Sequence, residues 1–442
     1  MNLLLRGRDA LLCLLSGVLT FAAFPTALAP EYSFWPLLWI SHIPILWVLK
    51  DKDPRSAFWW GLACGSVINA GGYYWIADML QTFGHLHWSV ANLGMLILAV
   101  YQGLVWAIWA WAINRIGNTT SMPIEWSVPI VMVAVEFCLP RIFPAYMGNS
   151  QYLFLPIMQI ADIFGVTAVT FLVYRVNANL YLWIRAWFQG RPRPVRATMV
   201  TLGLMAVTLV YGLVRMEQFD GRIEAADSLK IGVVEGDVGI FERESKDKIR
   251  NHLLIQQGLS AQAEAQDVDL IVWSESSYRR GSLPRNAKRF PPSERSLVSH
   301  WSEDLSSPVN DRTAPQRGFK TPLLFGSTSL EANEIPRFRG GRTGIPRNTA
   351  WLLDGEGNVA GTYDKVVLLV FGEYVPFIEY MPWFYELIPA AGDLAPGDTF
   401  DVIETDIWGR GPVRLGVLVC YEGILPSFAR QISEGRPHVL FN

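Results

Sequence analysis

Charge is scarce in this chain and evenly signed. Only 17% of its 442 residues are Asp, Glu, Lys or Arg, and the formal net charge is −3, so there is no basic field of the kind that gathers nucleic acid. Cysteine is scarce too. Of four cysteines, Cys13, Cys64 and Cys138 lie in apolar stretches, which excludes a disulfide framework and leaves Cys420 as a thiol without an obvious partner. His85 and His87, near Asp78, are ligand types, but no further spaced ligands accompany them, so they read as an interfacial loop and not as a metal centre. Internal repeats, heptads and basic patches are absent.

Apolar residues are abundant. At 51% hydrophobic with 18 Trp and a mean hydropathy of +0.22, the chain is too apolar for an ordinary soluble protein and reads as an integral membrane protein. Candidate spans cover residues 9–27, 33–49, 56–76, 88–113, 124–142, 157–188 and 197–214, about seven segments near the length a hydrocarbon core requires. They make residues 1–217 a transmembrane helical bundle. The first, preceded by Arg6 and Arg8, also resembles a signal peptide, but the apolar segments that follow at once favour a retained span. The second is short and broken by Pro36 and Pro44, which suits a re-entrant or tilted segment. In the sixth, Arg175, Asn177 and Asn179 are costly in lipid and must face protein or a water-filled cavity.

Basic residues of the short loops set the orientation. With the N-terminus in the cytoplasm, Arg6, Arg8, Lys50, Lys52, Arg55, Arg115, Arg185, Arg191, Arg193 and Arg196 all fall inside, and Arg141 falls outside. An odd number of spans then delivers everything after about residue 215 to the extracytoplasmic side.

From residue 228 short strands alternate with helices, the pattern of an α/β layered domain over 228–442. Strands are expected at 229–234, 269–273 and 323–327, a helix at 242–265, and a hairpin of 348–353 with 358–363 across Asp354-Gly355-Glu356-Gly357. Residues 279–320 and 331–347 lack periodicity and read as long loops. The run Leu415-Gly416-Val417-Leu418-Val419 has the composition of a strand covered on both faces, and it ends in Cys420. Two more chemically active groups sit past strands: Glu275 after Leu270-Ile271-Val272-Trp273-Ser274, and Lys365 after Tyr363-Asp364. Singly, each has an ordinary reading: a solvated loop carboxylate, a surface ion pair, a small buried thiol. Together they could converge at one sheet edge, where ligand sites of open α/β sheets gather. Glu275 would take the thiol proton, the thiolate would attack a carbonyl, and Lys365 would hold the oxyanion.

These residues resemble the Glu–Lys–Cys triad of the nitrilase superfamily. With Phe371-Gly372-Glu373-Tyr374-Val375-Pro376, with Cys420-Tyr421-Glu422 and with the preceding spans, the whole chain is similar to the bacterial apolipoprotein N-acyltransferases. The resemblance implies an αββα sandwich after a transmembrane bundle, with catalytic Glu275, Lys365 and Cys420 and supporting Glu373, Tyr421 and Glu422. It implies acyl transfer from a membrane phospholipid, through a Cys420 thioester, to the α-amino group of a diacylglyceryl apolipoprotein, without metal or cofactor. It also implies a multi-pass protein of the cell inner membrane with a periplasmic catalytic domain. The segment 377–387 is apolar enough for a lid at the lipid boundary or for a core helix. Departures from the family pattern are Ser274 for Pro before Glu275 and Leu369-Val370 for Val-Pro. The pattern also leads one to expect strands beyond Asn442, so the domain reads as C-terminally incomplete. Alternative readings are a membrane-tethered amidase, in which water resolves the thioester, and a catalytically inactive lipid- or lipoprotein-binding homologue.

Overall fold

A computed structural model describes residues 2–25, 33–82, 84–237, 246–278, 283–284, 314–337, 342–377, 380, 392–409 and 411–442. Two compact units divide the chain, Met1–Ala226 and Asp227–Asn442.

The first unit is helical. Its elements are α1 (Asn2–Ala22), α2 (Ile43–Leu49), α3 (Pro54–Gly72), α4 (Trp75–Thr82), α5 (Trp88–Thr119), α6 (Ile124–Cys138), α7 (Leu155–Met158), α8 (Ala161–Phe164), α9 (Thr167–Gln189) and α10 (Val195–Ala225). Among the described residues, α5 and α10 are both long and apolar enough to cross a bilayer by length and composition alone. Small residues let α3 and α5 approach closely. A Cβ on Gly65 would lie 2.6 Å from Gly103 O, and one on Gly103 would lie 2.9 Å from Ser66 N, which is the packing device of helices that have no hydrophobic drive toward one another in lipid.

The second candidate span is divided into a 3₁₀ turn, Trp35–Trp39, and α2, each with a proline in its first turn. The sixth, expected as one continuous segment over 157–188, is divided into α7, α8 and α9. Gly165, at φ 71°, closes α8 before α9 begins, in the left-handed region that glycine enters without penalty. Arg175, Asn177 and Asn179 are all buried and hydrogen-bond to other segments. Arg175 donates to Thr201 Oγ1 at 3.1 Å and to Glu125 O at 2.6 Å, stacked over Trp126. Asn177 accepts from His42 N at 2.9 Å and donates to Leu38 O at 2.8 Å. Asn179 accepts from Thr198 Oγ1 at 3.1 Å. These polar groups therefore bind segment to segment. His87 caps the N-terminus of α5, its Nδ1 accepting from Ser89 N.

The second unit stacks four layers. The larger sheet contains β1 (Ile231–Val234), β2 (Leu270–Trp273), β3 (Leu283–Pro284), β4 (Leu323–Arg337), β5 (Arg342–Leu353) and β6 (Val359–Asp364), in the order β1-β2-β4-β5-β6 with β3 against β4. The smaller contains β7 (Ile403–Thr405), β8 (Val413–Val417) and β9 (Val439–Phe441). Strands β1, β2 and β4 run parallel, while β4, β5 and β6 are antiparallel.

Alternation along each strand separates two cores. Ile271, Trp273, Leu323, Phe325, Trp351 and Leu353 pack with Leu253 of α11 (Lys246–Glu264). Leu270, Leu324, Ala350 and Leu352 pack with Ile403, Leu415 and Val417 of the smaller sheet and with Phe428 and Ile432 of α12 (Pro426–Glu434). The layers are thus helix, sheet, sheet, helix. The stretch 331–347, read as a loop from sequence, belongs mostly to β4 and β5, whose backbones pair through Glu331 with Ile345 and Ala332 with Gly344 and, after a register shift, at Arg337 with Arg342. A ladder of backbone bonds holds a segment that has no apolar alternation to announce it. The apolar segment 377–387 lies, but for Phe377 and Tyr380, outside the described residues, as does most of 279–313.

Candidate active site

Glu275 stands two residues past β2, in a turn that rests against β4. Gly326 makes this possible, because a Cβ there would lie 2.6 Å from Ser276 N and 2.9 Å from Glu275 Cα. The next residue, Ser276, has φ 51°. From the middle of β5, Asn348 Nδ2 donates to Glu275 Oε1 at 2.6 Å and to Glu373 Oε1 at 3.1 Å. One carboxamide therefore orients two carboxylates.

Lys365 follows β6 directly and is 1% exposed. Its N–H donates to Asn348 O, and its carbonyl accepts from Gly397 N, each at 2.8 Å. With the backbone pinned on both sides, Nζ lies 2.7 Å from Glu373 Oε2 and 3.8 Å from Glu275 Oε1. A buried ammonium needs such partners, since an unpaired one would lose its hydration without return. Glu373 is itself fixed by Leu369 N, which donates to Oε2 at 2.8 Å.

Cys420 arrives from the other sheet. It opens a 3₁₀ turn, Cys420–Ile424, just beyond β8, and has φ 52°. Non-glycine residues in this region carry a cost of order 1–3 kcal/mol that surrounding structure must impose. Burial, then the Glu275 charge, raises the Cys420 thiol above its ordinary value despite the opposing pull of Lys365. It is therefore a protonated thiol beside a carboxylate.

Glu422 is fully buried. Its Oε1 accepts from Tyr363 Oη at 3.0 Å, Val366 N at 2.7 Å and Val367 N at 3.0 Å, while Oε2 accepts from Val419 N at 2.8 Å. It ties the segment after Lys365 to the residue before Cys420. Burial pushes the Glu422 carboxyl up, against the lowering effect of the donors around it. The Tyr363 phenol is raised by burial first and then by the Glu422 charge. Glu422, expected as a supporting residue, lies in this position as a brace. Tyr421 is half-buried, its phenol raised by burial and by Tyr374.

A cavity of about 520 Å³ opens on this cluster, its walls including Glu275, Asn348, Cys420, Val234, Trp273 and Phe325. Lys365 and Glu373 stand behind Asn348 and Glu275. Asn348 was not singled out from the sequence, since a polar residue heading a strand resembles any solvated strand end. Its only signal was its position opposite the two carboxylates once β5 is paired with β4.

The four layers and a thiol, two carboxylates and a buried amine at the sheet ends define a nitrilase-type unit joined to a helical membrane unit. Residues 245–442 match the carbon-nitrogen hydrolase family, and residues 16–179 match the apolipoprotein N-acyltransferase N-terminal domain. The chain belongs to the apolipoprotein N-acyltransferase family. It is 32% identical to the apolipoprotein N-acyltransferase of Geobacter metallireducens over 98% of this chain and 77% of that protein. Against the enzyme of the same name from Bdellovibrio bacteriovorus the identity is 24%, over 97% and 75%. A solved structure of a carbon-nitrogen hydrolase from Helicobacter pylori G27 is similar at 19% identity and a TM-score of 0.28, over 48% of this chain and 59% of the other.

Proposed function

We propose that the chain moves an acyl chain from a membrane phospholipid, through a thioester on Cys420, to the α-amino group of the N-terminal diacylglyceryl-cysteine of an apolipoprotein. In the first step the Cys420 sulfur attacks the ester carbonyl and an S–C bond forms. Glu275 takes the thiol proton and returns it to the departing glycerol oxygen as the C–O bond breaks, releasing a lysophospholipid. In the second step the amine, its proton passed to Glu275, attacks the thioester; an N–C bond forms, and the sulfur leaves and is reprotonated. Lys365 holds negative charge at the carbonyl oxygen in both steps, and Glu373 holds Lys365. No metal or dissociable cofactor enters, since the thioester itself stores the acyl group.

The observation that carries this reading is the convergence of Cys420 and Glu275 on one cavity with Lys365 buried behind them at 3.8 Å from Glu275. The positive-inside pattern supports a multi-pass protein of the cell inner membrane, about seven spans over 1–217, with residues 228–442 on the periplasmic side, where phospholipid and lipoprotein are both met.

Intact-mass spectrometry of the full chain in phospholipid vesicles, without acceptor, tests the first step. The expected result is an acyl adduct that maps to Cys420 and is released by hydroxylamine. A folded sample with no adduct would overturn it.

A further inference from the structure

The cavity that opens on Cys420 has a second polar end. Glu235 and Asp237, which follow β1, line it together with His252 and Gln256 of α11. Strands β1 and β2 are parallel neighbours with Val234 beside Trp273. Glu235 therefore leaves β1 at the level where Ser274 leaves β2, about one strand spacing of 4.8 Å away. This end lies across β2 from β4, on whose Gly326 the Glu275 turn rests. Both carboxylates are exposed, and neither forms an ion pair with a described residue. Gln256 is 4% exposed. Its backbone carbonyl accepts from Ser260 Oγ at 2.7 Å, but its buried side-chain Oε1 accepts from no described group. The adjacent Gln257 makes the contrast, its Nε2 donating to Ala314 O at 2.6 Å. A buried acceptor without a donor is costly and uncommon, and in a cavity wall it points to a ligand that brings the donor.

The chemistry of this wall selects the occupant. Exposed carboxylates alone hold a cation weakly, and the buried amide oxygen adds a demand for an N–H or O–H donor. Val234, Trp273 and Phe325 line the cavity that this end shares with Cys420, so the donor belongs to a molecule whose other part reaches the thiol. A primary ammonium supplies both the positive charge and three N–H donors. We propose that Glu235, Asp237 and Gln256 form a subsite for a primary ammonium carried by a substrate of the Cys420 site. In the reaction proposed above, that group belongs either to the head of an aminophospholipid donor or to the acceptor, held as its α-ammonium before deprotonation and attack. The proposal rests on that reaction for its substrates and adds the residues that select them.

The test is calorimetric titration of the full chain carrying Cys420→Ala, in detergent, with two pairs of ligands. One pair is short-chain phosphatidylethanolamine and phosphatidylglycerol with the same acyl groups. The other is a diacylglyceryl-cysteine peptide with a free α-amino group and the same peptide N-acetylated. In at least one pair the ammonium member should bind roughly ten-fold more tightly, as hydrogen bonds to a charged group imply. Discrimination in the lipid pair assigns the subsite to the donor head, and discrimination in the peptide pair assigns it to the acceptor. Adding Gln256→Leu, or separately Glu235→Gln with Asp237→Asn, should bring that pair to equal affinity while the ammonium-free member binds as before, which shows that the cavity is intact. Equal binding within both pairs, or discrimination that survives both sets of substitutions, would overturn the proposal. Intact-mass analysis of the unsubstituted chain separates the two readings. A failed transfer reading gives discrimination without a thioester adduct, and a failed subsite gives the adduct without discrimination.

Discussion

Lys365 is paired with Glu373 at 2.7 Å, more closely than with Glu275 at 3.8 Å. Glu373 thus neutralises the ammonium, and Glu275 remains available to the thiol. Glu373→Gln removes the closer partner of a fully buried cation, a change that costs about 3–5 kcal/mol when nothing compensates. We predict a lower midpoint of thermal unfolding and loss of the thioester. The double substitution Lys365→Met with Glu373→Gln removes both charges and should recover much of the stability while forming no thioester. If the double variant still acylated Cys420, Lys365 would have no part in the chemistry.

The Cys420 thiol is raised by burial and by the Glu275 charge. Alkylation of Cys420 should therefore follow a pH profile whose midpoint lies above that of a free thiol. Removing the charge with Glu275→Gln should move that midpoint to lower pH, so that more thiolate is present at neutral pH, while acyl transfer falls by about 10²–10⁴, the usual value of a positioned acid–base group. A variant with more thiolate and less transfer would assign Glu275 to proton movement. Transfer at the unsubstituted rate would exclude it.

Asn348 touches both carboxylates. Hydrogen bonds to charged groups contribute about 1.5–3 kcal/mol, so Asn348→Ala should lower kcat about 10- to 100-fold. KM for phospholipid should change far less, because the side chain acts through Glu275. Steady-state kinetics of the variant check this, and an effect confined to KM would instead make Asn348 a substrate contact.

Glu422 has a raised pKa in the folded chain, so the sign of its pH linkage is fixed. Its contribution to stability is fully present below the unfolded-state carboxylate value and is lost as pH rises through the higher folded value. Glu422→Gln should flatten that part of the stability–pH curve. It should also lower stability overall, since an amide nitrogen then faces one of the donors at Tyr363, Val366, Val367 or Val419, at about 1–3 kcal/mol for a buried group left unsatisfied. Denaturant unfolding at several pH values measures both effects. An unchanged slope would mean that Glu422 does not titrate in this range.

Much of the architecture was legible because apolar runs announce strands and long apolar segments announce helices. The apolar runs ending at Trp273 and Val419 put Glu275 and Cys420 just beyond strands, and the structure has them two residues past β2 and three past β8. Less legible was anything decided by contacts distant in sequence. Glu422 was expected only as a supporting residue, through the resemblance, and the approach of Val366, Val367 and Tyr363 is what makes it a buried brace. The division of 157–188 depended on the backbone of Gly165. The long β4–β5 ladder depended on pairing between polar segments whose side chains carry no alternation.

Glu275 and Cys420 enter from different sheets: Glu275 follows β2 of the larger, and Cys420 follows β8 of the smaller. The site consequently has no existence in either sheet alone. The larger sheet alone carries the amine and the carboxylates, and the smaller alone carries the thiol. The core that holds Leu352 of one sheet and Leu415 of the other is therefore what brings Glu275 and Cys420 to a single cavity.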